Sequence, residues 1–139
     1  MERSHRRVLR WILVVPSIYA AWAIALLVGY GLTSMEEALC PARYQVSGLC
    51  IAPWAAGVEK AILGFSVCLA AVLFVIFPAL IAPAKRRLVA WAAYAVGAGL
   101  GCALGVQAGE YLALACALTA GLLAVAGVNR WAASGEGSQ

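Results

Sequence analysis

Apolar residues dominate four stretches of this chain, residues 11–32, 61–82, 88–106 and 111–128, and none of them holds a charged side chain. A helix rises about 1.5 Å per residue, and a bilayer core about 30 Å thick asks for about 20 apolar residues. Each stretch can therefore cross. Polar positions collect between them. Residues 33–60 form the one sizeable connection, and the tight turn 107–110 joins the third and fourth stretches. The pattern predicts an all-α fold, a polytopic integral membrane protein whose four transmembrane helices form an antiparallel bundle over residues 11–130. A basic tail, 1–10, precedes the bundle, and a short tail, 131–139, follows it.

Composition agrees. The chain is 65% hydrophobic and 12% charged, against about 45–50% apolar and about 25% charged in soluble domains. The four spans and their links leave no room for a separate soluble domain.

The net charge of +4 gains meaning from its distribution. Arg3, Arg6, Arg7 and Arg10 precede span 1, Lys85, Arg86 and Arg87 lie between spans 2 and 3, and Arg130 follows span 4. Only Arg43 and Lys60 fall in the other connections, an eight-to-two split. Basic residues near span ends stay cytoplasmic. Both termini are therefore expected inside, with 33–60 and 107–110 outside. Arg6, Arg7, Arg10, Lys85, Arg86, Arg87 and Arg130 are the topology-setting residues. That role accounts for the basic clusters without nucleic acid, and attraction to anionic lipid headgroups is their secondary role. Trp11, Trp91 and Trp131 fall at the expected inner boundaries, and Tyr30, Trp54 and Tyr111 at the outer ones, where amphipathic rings prefer the headgroup level. Ala21-Trp22-Ala23 resembles a signal-peptide cleavage site. Apolar sequence continues beyond it, so span 1 is expected to remain as an anchor.

Cys40 and Cys50 share the outer connection with nine residues between them. In an oxidising compartment they are expected to form a disulfide that staples the loop. No Cys-x-x-Cys supports a redox role, and no nearby histidine completes a metal site. Cys68, Cys102 and Cys116 lie within the outer halves of spans. There cysteine acts as a small hydrophobe, and a soft-metal path is the sharper alternative.

Span 3 carries Ala93, Gly97, Gly101, Gly105 and Gly109 at every fourth position. Such a row keeps to one helix face and lets another backbone approach closely. It predicts a helix-packing groove, filled by span 1 or 4 of the same chain or by a membrane-protein partner or second copy. Leucine at Gly101 is expected to disrupt it. Span 1 has a matching row, Ala21, Ala25 and Gly29, and span 4 has Ala113, Ala117 and Gly121. Bulkier span 2, with Phe65, Phe74 and Phe77, is expected to supply filler. Pro78 should kink span 2, because proline cannot donate to the carbonyl of Phe74. Pro16 could bend span 1, and Pro83 should end span 2.

Chemistry is hard to place. The one histidine, His5, lies in the basic tail. Glu36 and Glu37 are adjacent in the expected loop, and no nucleophile–base–orienter set is visible. No cofactor is implied, and the sequence points away from an enzyme. Ion-coupled transport ordinarily uses a membrane-embedded acid, which the spans lack. The preferred reading is a non-catalytic accessory, assembly or immunity-type subunit acting through helix and loop surfaces in the lipid bilayer. The alternative is a small oligomeric transporter or channel for a neutral solute or soft metal ion. The Ala/Gly-rich spans suit a bacterial cytoplasmic membrane.

Overall fold

A computed structural model describes the backbone of residues 2–82 and 85–136, and the side chains of 11–82 and 85–134. The predicted helices are present: α1 (Glu2–Leu39), α2 (Ala55–Ile81), α3 (Arg86–Ala108) and α4 (Tyr111–Glu136). All four are long and apolar enough to cross a membrane, and they pack against one another. The protein is an all-α integral membrane protein.

Helix ends differ from the sequence reading. α1 starts at Glu2 and runs to Leu39, so the expected basic tail and loop residues 33–39 are helical. Glu36 and Glu37 thus sit on helix rather than loop. Glutamate has good helix propensity, and only the polarity of these two set them apart from the span. The connection shrinks to residues 40–54. Pro83 lies outside the described residues, as do the side chains of His5, Arg6, Arg7 and Arg10.

α2 is the centre of the bundle. It packs on α1, α3 and α4, whereas α1 leans mainly on α2. The expected filler helix is therefore the one the others assemble around. The seam between α1 and α2 is built from small residues. Ser17, Ala21 and Ala25 of α1 are buried, one helical step apart along the same face. Ser17 Oγ donates to the carbonyl of Val14 at 2.6 Å, which satisfies the hydroxyl within its own helix. At the end of this row a carbon added to Gly29 would lie 2.8 Å from Ser66 Oγ of α2. That oxygen is buried without a hydrogen-bond partner. It can turn toward the carbonyl one helical turn back, at Ile62. Gly29→Ala is therefore expected to keep thermal stability within about 1 kcal/mol of wild type. A loss of about 3 kcal/mol in a detergent melt would show that the seam tolerates no added carbon.

The buried cluster lies toward the end of the bundle that carries Lys85, Arg86, Arg87 and Arg130, the basic end. Val75 and Ala79 of α2 meet Ala90 of α3 and Val125 and Val128 of α4. Pro78 is buried between Val75 and Ala79, and α2 continues through it to Ile81.

The α3–α4 link needs only Gly109 and Glu110. Gly109 has φ +72°, a conformation that glycine adopts without steric cost. Its N–H donates to Val106, and the Glu110 N–H donates back to Gly105 at 3.1 Å. This is a Schellman closure of α3. It reverses the chain at once and forces α3 and α4 antiparallel. Gln107 and Ala108, expected in the turn, complete α3 instead.

Candidate functional site

The 40–54 connection lies at the end opposite the buried cluster. Gln45–Val46 and Leu49–Cys50 pair as an antiparallel hairpin. Ser47 and Gly48 turn it with φ +53° and +85°, the positive pair that a two-residue hairpin loop favours. Cys40 and Cys50 are joined as a disulfide, with Cα atoms 5.9 Å apart. The Gln45 side-chain amide donates to the carbonyl of Glu37 at 3.1 Å, capping a free acceptor at the end of α1. Bond and cap together fasten the hairpin to α1. Arg43 lies 4.8 Å from the ring centre of Tyr44.

The bundle is open at this end. A cavity of about 620 Å³ lies where α1, α2 and the start of α4 meet. Leu26 of α1 and Ile62 and Leu63 of α2 give it an apolar wall. Tyr30, Glu59, Lys60 and Glu110 also line it. A second hollow of about 270 Å³ lies between α2, α3 and α4, lined by Val67, Gly101, Gly105 and Leu114 among others. Leu63 and Glu110 border both. The physical origin is side-chain volume. Gly29 of α1 lines the larger hollow, and Gly101 and Gly105 of α3 line the smaller one. No composition or spacing rule marks these hollows, because they arise from residues on different helices.

The glycine row of α3 is only partly the predicted groove. Ala93 is buried. A carbon added to Gly97 would lie 3.3 Å from Phe74 of α2, and one on Gly105 would lie 3.2 Å from Leu114 of α4. Gly101 is easier, with Leu114 at 3.8 Å, so it is the least sensitive of these three glycines. The row therefore serves α2 and α4 rather than α1. Gly109 leaves the row, because nothing lies within 4 Å of an added carbon and its role is the positive φ of the α3 end. Gly121 of α4 is tighter than any glycine of this row, because an added carbon would lie 2.9 Å from the Tyr94 ring. Its place beside Ala113 and Ala117 was legible in the sequence, but its aromatic partner was not.

A different face of α3 has no partner among the described residues. Ala92, Ala95, Gly99 and Ala103 are exposed, and nothing lies within 4 Å of a carbon added at Gly99.

The remaining candidates do not converge. Cys102 and Cys116 are exposed and Cys68 is half-buried, so the first two are not buried small hydrophobes within the bundle. Among the described residues, no three His, Cys, Asp or Glu side chains come close enough to hold a metal. At the basic end the Arg86 guanidinium lies 4.7 Å from the Trp131 ring centre. Arg130 and Lys85 are exposed there. Trp91 meets Tyr94 edge-on at 6.1 Å.

These features define a four-helix membrane protein with a packed basic end and a hollow end that carries the disulfide-bonded connection. The chain matches no known protein family, no curated protein and no solved structure.

Proposed function

We propose that this protein is a non-catalytic accessory, assembly or immunity-type subunit, working through helix and loop surfaces in a bacterial cytoplasmic membrane with both termini inside. The supporting observation is the free face of α3. Ala95, Gly99 and Ala103 are exposed at four-residue spacing, and the space beside Gly99 is open. Lipid tails supply no hydrophobic drive for helix association, so close backbone approach along small residues favours a helical partner. Phe74 and Leu114 occupy the inward glycine row, and this second face stays open to a partner helix.

Gly99→Leu separates assembly from folding. Its first side-chain carbon meets nothing within 4 Å, and it replaces a poor helix former. Native mass spectrometry after gentle solubilisation is expected to show a stoichiometric complex with a second membrane protein. Gly99→Leu should dissociate it while the melting temperature holds. A wild-type protein that remains a lone monomer removes this reading. A homo-oligomer that releases solute from liposomes transfers it to the alternative, a small transporter or channel for a neutral solute or soft metal ion.

A further inference from the structure

The cavity at the disulfide end combines an apolar wall with an unbalanced charged rim. Glu59 of α2 and Glu110 at the start of α4 both line it, and Lys60 supplies one ammonium against the two carboxylates. Among the described residues no ion pair engages these three groups. Tyr30 of α1 adds an aromatic ring on the α1 side. Leu26, Ile62 and Leu63 continue the wall between α1 and α2. The volume of about 620 Å³ falls within the range of about 300–1,000 Å³ that suits drug-sized ligands.

We propose that this cavity binds an organic monocation with an apolar tail, of the alkylammonium class. Its cationic head takes the charge left uncompensated by Lys60, between Glu59 and Glu110. The face of Tyr30 attracts the same head through its ring quadrupole. The tail lies on Leu26, Ile62 and Leu63, out of water. A neutral amphiphile gains only the last of these contacts. An anionic one meets two carboxylates of its own sign. Charge complementarity therefore selects the cation at this rim, where Glu59 is exposed and Glu110 half-buried. This binding goes beyond the assembly reading and does not depend on a partner chain.

The test uses the full chain in dodecyl maltoside micelles, with octyltrimethylammonium as probe in equilibrium dialysis against protein-free micelles. Saturable binding of one probe per chain is expected. Glu59→Gln with Glu110→Gln should weaken it about tenfold or more, at an unchanged melting temperature. Tyr30→Leu should weaken it several-fold and serves as the independent variant, because the ring is 73% exposed and little packing depends on it. Lys60→Gln should leave binding intact or tighter. The proposal is overturned by the absence of saturable excess over empty micelles, or by unchanged affinity in both the double carboxamide and the Tyr30 variants. Equal binding of octyl glucoside also overturns it. So does one-for-one displacement by phosphatidylcholine, which would give the site to a zwitterionic lipid.

Discussion

Gly121→Leu is expected to lower stability by about 2–3 kcal/mol, seen as an earlier unfolding transition in detergent. Overpacking a filled interior costs about 1–3 kcal/mol, and here the obstacle is poorly placed to yield. A carbon at Gly121 would lie 2.9 and 3.0 Å from two atoms of the Tyr94 ring, with Ala71 of α2 at 3.8 Å. The ring cannot simply rotate aside. Its hydroxyl donates to the carbonyl of Leu118 at 3.4 Å, and Trp91 packs edge-on against it. Tyr94 also packs against the buried cluster. Moving it disturbs α2, α3 and α4 together. Gly127→Leu is the control on the same helix, because nothing lies within 4 Å of a carbon added there. It should melt at or above the wild-type temperature, since glycine costs about 1 kcal/mol inside a helix. Equal effects at the two positions would mean that the Tyr94 contact does not govern packing.

Replacing Cys40 and Cys50 together by serine is expected to cost about 2.5–3 kcal/mol relative to the oxidised protein, the chain-entropy value for a loop of about 11 residues. The effect should centre on the hairpin and the last turn of α1, where the Gln45 cap depends on the same geometry. Unreduced, denatured wild-type protein should show only Cys68, Cys102 and Cys116 reactive toward maleimide. Labelling at all five cysteines would refute the bond. The same residues test the expected orientation. In intact cells, reduction by a membrane-impermeant phosphine should open Cys40 and Cys50 to an impermeant maleimide. Labelling that requires broken cells would place the loop, and with it the bundle, the other way round.

The spans were legible because charge-free runs of this length have few other uses. The disulfide was legible because two cysteines shared one short connection. Three features were not. The last turn of α1 through Glu36 and Glu37 has no apolar periodicity to announce it, so polarity was read as loop. The place of α2 at the centre could not be seen, because periodicity shows how apolar a helix is and not how many neighbours it has. The partners of the glycines were hidden for the same reason. Spacing marked Gly97, Gly101, Gly105 and Gly121 as close-approach positions, but Phe74, Leu114 and Tyr94 reach them from other helices. Gly109 could have been separated from its row. A glycine followed within two residues by a new apolar run is a helix-end signal, and its coincidence with the four-residue spacing concealed it.

The attachment of α1 mainly along α2 divides the origin of the cavity walls. Helices α2, α3 and α4 share the Val75–Val125 cluster, whereas α1 joins the bundle mainly through its seam with α2. The wall that Leu26 and Tyr30 supply is therefore placed by that seam, while Glu59, Ile62 and Glu110 are placed by the three helices that share the cluster.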